Sequence, residues 1–535
     1  MKFRHSMTWL HTWAGLILSW MLYFMFITGS AGYFDEEITR WMQPEIPVQQ
    51  SEFEATTLIP VAERQLKQLA PYADHLFIEV PQGRHPYFKL WWHNPRVKSE
   101  EKPDETHSPG WHELILDPNT GAPANARETA GGEFLYRLHY VLHYIPKDLA
   151  YWLTSLAAMF MLVALITGVV IHRRIFKDFF TFRRNKSHTS WLDMHNLLAV
   201  LPLPFHLMIT YSGLILLMSS TMIAIPVSSY GPSPEKLRGV YDTLFTEPDH
   251  LEAAGVAAET VSLLTIYQKS VASKEDIAIA YIGVKHPGDV NTIIEVSSMA
   301  VRGLDDLNKS LYRGTDGLPF GGPDHHNKRS ATMAFYQTME KLHEGLFAST
   351  FLRWIYFLSG LMGAGMIATG AIFWAVKRRH AHDKAGVNPR GLQLVEGFNV
   401  GTIVGLPIAI AAYFWANRLI PATFETRIAL EGHCLFIVWL LTLIHPFIRQ
   451  RRIGAKEIWI EQLKVATVTY ALIPVINFST SDYHLLMALK HGDWILAGFD
   501  LAVLGIAACF AGAAIIMKKK TRESLTFTAV NEAGL

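Results

Sequence analysis

The apolar residues of this chain gather into eight runs, each near the roughly 20 residues a helix needs to cross the bilayer core. The runs lie at about residues 10–33, 149–172, 192–223, 351–376, 397–419, 427–448, 463–486 and 494–517. A backbone inside hydrocarbon must satisfy its own hydrogen bonds, so runs of this length fold as helices. This pattern excludes a disordered chain and an ordinary soluble enzyme.

Basic residues set the expected orientation. Arg173, Arg174, Lys177, Arg183, Arg184 and Lys186 follow the second run. Lys377, Arg378, Arg379 and Lys384 follow the fourth, Arg449, Arg451, Arg452 and Lys456 the sixth, and Lys518, Lys519 and Lys520 the eighth. Under the positive-inside rule, both termini are cytoplasmic and the two long loops fall outside. The first run is read as an uncleaved helix: it is long for the apolar region of a signal peptide, and it contains His11.

The expected fold class is a mainly α-helical polytopic membrane protein with eight transmembrane helices and two periplasmic α+β modules. Helix 1 occupies 1–33 and the first module 34–148; helices 2 and 3 occupy 149–223 and the second module 224–350. Helix 4 occupies 351–376, a cytoplasmic loop 377–396, helices 5–8 397–517, and a cytoplasmic tail 518–535. In the first module, a helical stretch at Leu58–Leu69 precedes strand-like alternation at His75–Val80, Tyr87–Trp92 and Glu113–Leu116. The last of these runs into Asp117-Pro118-Asn119-Thr120-Gly121. In the second, a helical stretch at Ala257–Ser270 precedes strands at Ala278–Val284 and Thr292–Val296.

A duplication is hidden in the first 380 residues. Leu10-His11-Thr12 opens the first run and Met194-His195-Asn196 the third; Gly29 and Gly213 each follow their histidine by 18 residues. Arg137-Leu138-His139 precedes Ile166-Thr167-Gly168, and Lys341-Leu342-His343 precedes Ala368-Thr369-Gly370. The unit is helix, module, helix, and it occurs twice. A parallel repeat places a pseudo-two-fold axis along the membrane normal. His11 then faces His195 on the cytoplasmic side, and His139 faces His343 on the periplasmic side.

Over about residues 1–380 the chain resembles the PepSY-associated transmembrane family, through its paired modules, the Asp-Pro-Asn-Thr-Gly turn and the Leu-His openings of helices 2 and 4. The family includes heme-bearing inner-membrane reductases of ferric siderophores. The resemblance implies a ferric-siderophore reductase, with a ferric siderophore as the substrate and a role in iron uptake.

Of the 24 histidines, the four matched ones carry the chemistry. Neutral imidazole is a common ligand of heme iron, and ionisable residues within spans are functional candidates by default. Two hemes b are expected, one on His11 and His195 and one on His139 and His343. Gly15, Gly168, Gly213, Gly363 and Gly370 are small enough to pack near them. An alternative pairing joins His206 to His143 or His139. In helices 5–8, His433 and His484 leave a third heme, a quinone or a metal open, with interfacial polar residues as the plainer reading; Arg427 and Glu431 beside His433 keep a quinone-like or ion site in view. His85, His93, His107, His112 and His286 are expected in loops without function. Asp324-His325-His326 reads as a solvated loop, and Trp91, Trp92 and Trp111 as module packing.

Other chemistry is missing from the sequence. Cys434 and Cys509 are the only cysteines, so there is no disulfide framework, Cys-rich metal site or covalent heme motif. No dinucleotide, Walker A, zincin or nucleophile-elbow motif occurs. Electrons must therefore come from a partner, either a quinol or a cytoplasmic reductase. The net charge of +1 gives no case for nucleic acid; the expected surroundings are the lipid bilayer. Two rival classes stay open: a metal or proton-coupled transporter using the histidines, and a non-enzymatic envelope regulator that binds a partner through its modules. The first calls for acidic residues at mid-membrane, which the first four runs lack. The second leaves the four matched histidines without a role.

Overall fold

The computed structural model describes the chain apart from residues 1, 48–52, 82–86, 96–109, 173–186, 234, 238, 240–250, 273–276, 301–307, 321–330, 388 and 534–535. The basic cluster Arg173–Lys186, His85, His107 and Asp324-His325-His326 thus lie outside the described residues. The rest forms two units. One comprises Met1–Met42, Glu128–Ala224 and Leu342–Leu535; the other comprises Gln43–Arg127 and Ile225–Lys341.

The first unit is helical. Among the described residues, Phe3–Gly32, Lys147–Ile171, Thr350–Lys384, Arg390–Leu419, Arg427–Arg449, Ala455–Thr480 and Trp494–Thr521 are long and apolar enough to cross a membrane. The remaining span is broken: Thr189–Val200 and Leu203–Leu216 meet at a bend of 66°. The cause is local. Pro202 and Pro204 bring no backbone N–H, and a proline ring clashes with the carbonyl four residues earlier. One helix therefore ends at Val200, and a new one starts at Leu203, with the His206 amide donating to the Pro202 carbonyl at 2.9 Å.

The first four spans form a closed bundle. The first packs on the second and the fourth, and both halves of the bent third span pack on the fourth. Small residues set these distances. A Cβ on Gly360 would stand 2.2 Å from Ser30 Oγ, and one on Gly363 would stand 2.3 Å from Phe26, so the first and fourth spans approach where these glycines lie. The last four spans form a second cluster of packed helices.

The second unit is built on one six-stranded antiparallel sheet. Its strands are β1 (His75–Glu79), β2 (Phe88–His93), β3 (Trp111–Leu116), β4 (Ile277–Lys285), β5 (Ile293–Ala300) and β6 (Asn308–Arg313), in the order β3-β2-β1-β4-β5-β6. Two modules were expected from the sequence; they share a single sheet, joined where β1 pairs with β4. Ile78 is the partner of Ile282 at this seam. Both are buried, in a core shared with Leu58, Ile59 and Leu66 of helix Ala55–Leu69 and with Leu263 and Ile266 of helix Leu263–Ala272. Alternation then places His75, Phe77, Trp91 and His93 on the opposite face.

Two sequence expectations need correction here. Strand β6 was not anticipated, because Asn308–Arg313 lacks the apolar alternation that marks a strand. The turn after it reproduces that of the first module without its motif. Gly121 donates to the Asp117 carbonyl at 2.8 Å and Gly317 to the Arg313 carbonyl at 2.9 Å. Both glycines have positive φ, 72° and 64°, and Leu116 and Tyr312 bridge to Pro123 and Pro319. A left-handed glycine at the same place is what the turn requires. Likewise, His93 ends β2 and His112 lies in β3, so these two are strand residues, while His286 lies in the turn that directly follows β4.

Candidate functional site

The structure brings both expected pairs together. The ring centroids of His11 and His195 stand 6.3 Å apart, and those of His139 and His343 stand 6.2 Å apart. A glycine backs each ring. A Cβ on Gly168 would lie 3.3 Å from His11 Cε1, and one on Gly370 would lie 3.1 Å from His195 Cε1. A Cβ on Gly29 would lie 3.4 Å from His139 Cγ, and one on Gly213 would lie 3.0 Å from His343 Cε1. The relation is reciprocal within each repeat. The histidine of one helix rests on the glycine of its partner helix, and the partner's histidine rests on the glycine of the first. Gly29 lies 18 residues beyond His11, which separates the two layers by about 27 Å along a helix rising ~1.5 Å per residue.

The hydrogen bonds fix the tautomer of all four rings. His11 Nδ1 lies 3.0 Å from the Ala164 carbonyl, and His195 Nδ1 lies 2.7 Å from the Met366 carbonyl. Ala164 and Met366 each precede the backing glycine by one helical turn. His139 Nδ1 meets the Tyr136 carbonyl. A carbonyl only accepts, so each of these nitrogens carries the proton. His343 Nδ1 lies 2.9 Å from Ser212 Oγ. That hydroxyl spends its own proton on the Met208 carbonyl at 2.7 Å, so it accepts from Nδ1. Every ring therefore keeps its lone pair on Nε2, as expected when a second partner orients a metal-binding imidazole. Burial holds His139 down to about 4. Burial, with a smaller contribution from His139, holds His343 down to about 3. Both are neutral at physiological pH.

The separations of 6.3 and 6.2 Å are of the size two imidazoles would have on one shared metal atom, about 6.4 Å from two metal–nitrogen bonds of about 2.0–2.1 Å and two ring radii of about 1.2 Å. The two pairs differ in orientation, at 72° between ring planes for His11 and His195 and 17° for His139 and His343. Each histidine pair is flanked by two glycines, one against each ring.

The alternative candidates fall elsewhere. His206 is buried, with Nε2 at 3.3 Å from the Ser359 carbonyl and its ring edge-on to Phe26. His143 packs against Phe134, Tyr144 and Phe436. His206 and His143 are not brought together. In the last four spans, His433 Nδ1 meets the Tyr144 hydroxyl, and His484 packs on Phe478.

The sequence did not reveal what the last four spans do for this site. Arg427 and Glu431 pair at 2.8 Å, both fully buried. Glu431 also accepts from Asn417 at 2.9 Å, from Thr129 at 2.6 Å and from the Ala130 amide at 3.3 Å, and Tyr413 donates to the Gly131 carbonyl at 2.7 Å. Asp500 accepts from Trp41 at 3.0 Å and from Asn477 at 3.1 Å, and Arg418 lies over the Trp41 ring at 3.9 Å. The acidic groups buried in these spans are thus committed to holding Asp35–Met42 and residues 129–131. The latter lead directly into helix Gly131–Leu138 and His139. Tyr136 on that helix donates to Glu344, the neighbour of His343.

The model of the PepSY-associated TM region matches residues 8–377, which is most of the chain. The protein belongs to the PepSY-associated TM region family. The match takes in all four matched histidines and their glycines, and it ends before the last four spans. This family member also resembles an uncharacterized protein of Pseudomonas aeruginosa, at 22% identity over 282 residues, covering 50% of this chain and 68% of the relative.

Proposed function

We propose that this family member is an inner-membrane, di-heme b-type electron-transfer protein that reduces ferric siderophores on the periplasmic face, with both termini in the cytoplasm. The observation that supports it most is the pair of facing histidine couples at 6.3 and 6.2 Å, each ring backed by a glycine. His11 and His195 would hold one heme and His139 and His343 the other, and the bound groups would supply single-electron chemistry across the membrane. The chain's own residues orient the site. Carbonyls of Ala164, Met366 and Tyr136 and the Ser212 hydroxyl hold Nδ1–H, so Nε2 is presented as the ligand. Between the two layers, Gly360 packs closely on Ser30 and Gly363 on Phe26.

The siderophore enters through the family resemblance. Siderophore oxygen ligands are hard and suit Fe(III) better than Fe(II), so reduction favours release. The electron donor is a quinol or a cytoplasmic reductase. The test is a reduced-minus-oxidised spectrum with a heme-to-protein ratio, followed by anaerobic mixing of the reduced protein with a ferric siderophore. Two hemes per chain and reoxidation with formation of Fe(II) are expected. Protein that carries no b-type heme under heme-replete expression would overturn the reading.

A further inference from the structure

A second cluster of metal-binding side chains lies away from these histidines, at one end of the six-stranded sheet. His75 opens β1 and His93 ends β2, and the two are direct cross-strand partners. Neighbours opposite each other on antiparallel strands carry their side chains on the same face. Asp74 precedes β1, and its amide donates to the His93 carbonyl at 3.2 Å. Its carboxylate is thereby drawn between the two rings: Oδ1 lies 2.6 Å from His93 Nδ1 and 3.1 Å from His75 Nδ1. Among the described residues, the ligand atoms of these three all lie within 4.8 Å of one another.

We propose that Asp74, His75 and His93 form a site for a divalent late-first-row transition ion, Zn(II) being the probe that reports it. Two imidazoles and one carboxylate make a borderline ligand set of the kind such ions take, with further positions open to water. Two ligand atoms bound at about 2.1 Å to one ion stand about 3.0–3.5 Å apart. The His75–Asp74 separation already meets this, and the His93–Asp74 separation needs to open by a few tenths of an ångström. His93 Nδ1 faces the cluster through its contact with Asp74 Oδ1 at 2.6 Å, while Nε2 lies on the side where Gly110 packs. The side chains are a quarter to a third exposed, which leaves an entry path.

A fourth imidazole stands beside them. His286 directly follows β4, and its amide donates to the Asp74 carbonyl at 2.8 Å. Its ring centroid lies 6.1 Å from that of His75, while Nε2 is held by the Leu251 carbonyl at 3.0 Å. The cluster therefore sits where β1 meets both β2 and β4. An ion here would tie β1 to β2 within the first module, beside the seam where β1 pairs with β4. The proposal is independent of the hemes.

The experiment is equilibrium dialysis of the purified, tag-free full-length protein against buffers of fixed free Zn(II), with bound zinc measured by mass spectrometry. One high-affinity zinc per chain is expected. H75A and H93Q should each weaken binding at least tenfold, and H112A, on β3 with its ring stacked on Trp92, should leave it unchanged. His93→Gln keeps an amide donor for Asp74, so it separates ligation from a purely structural hydrogen bond, and an unchanged melting temperature shows that the sheet is intact. Zinc binding by H93Q and H75A equal to that of wild type, or no zinc binding by wild type, would overturn the proposal.

Discussion

His11 lies against Gly168: a Cβ there would stand 3.3 Å from His11 Cε1, so the ring would have to give by a few tenths of an ångström to admit a methyl group. The same contact recurs between His195 and Gly370 at 3.1 Å. In each case Nδ1 is held by the carbonyl one turn before the glycine. Enlarging the glycine should therefore displace the ring without touching a ligand. Gly168→Leu should halve the heme-to-protein ratio by pyridine hemochrome assay, while Gly168→Ala loses less. Full heme content in Gly168→Leu would show that this contact plays no part in binding.

The pairs should behave as units. His11→Ala and His195→Ala are expected to remove the same heme, and the double variant should remove no more than either single one. His139→Ala and His343→Ala should remove the other. Redox titration of each variant distinguishes the two populations. A variant of either pair that removes both hemes, or a pair whose members remove different ones, would contradict the arrangement.

The ring planes differ, at 72° for the first pair and 17° for the second. Near-perpendicular axial imidazoles give a strongly anisotropic low-spin ferric signal, and near-parallel ones a rhombic signal. Electron paramagnetic resonance of the oxidised protein should show both. The anisotropic component should vanish in His195→Ala and the rhombic one in His343→Ala. A single signal type would rule out this difference between the pairs.

His206 should be dispensable for heme. Its ring meets Phe26 and the Ser359 carbonyl rather than a second imidazole. His206→Leu keeps similar bulk, and both hemes should remain. Loss of one heme in this variant, with full retention in His343→Ala, would restore the alternative pairing.

The Arg427–Glu431 pair is fully buried, with Glu431 also accepting from Asn417 and Arg427 also donating to the Asn417 and Ile420 carbonyls. Removing one partner of such a pair leaves an uncompensated charge and costs about 3–5 kcal/mol. Glu431→Ala should lower the unfolding midpoint in detergent well below that of Glu431→Gln, which retains an acceptor for Asn417 and Thr129. Equal midpoints for the two variants would mean that the network contributes little.

Much of the candidate site was legible because membrane helices constrain sequence strongly. The eight runs, the 18-residue spacing of histidine and glycine, and the Leu-His openings all follow from segments that must be helical and from a repeat that preserves position along them. Pro202 and Pro204 mark the break within the third span, but the apolar character does not change across them, so the sequence reads there as one continuous run. Strand β6 and the second module's turn were missed for the opposite reason. A β-turn needs one glycine with positive φ and little else, and Arg313–Gly317 meets that need without the first module's residues.

By itself, the sequence determined the membrane-spanning class, the duplication and which histidines correspond, because hydrophobic length and helical period are properties of a single segment. The tertiary structure alone decided which nitrogen each ring presents, that a glycine backs every one of the four, and that Asp74, His75 and His93 converge. Those are relations between segments far apart in the chain: Ser212 meets His343 and Met366 meets His195 across more than 100 positions. No local pattern records them. They arise when close helix packing and strand pairing bring particular atoms to hydrogen-bonding distance.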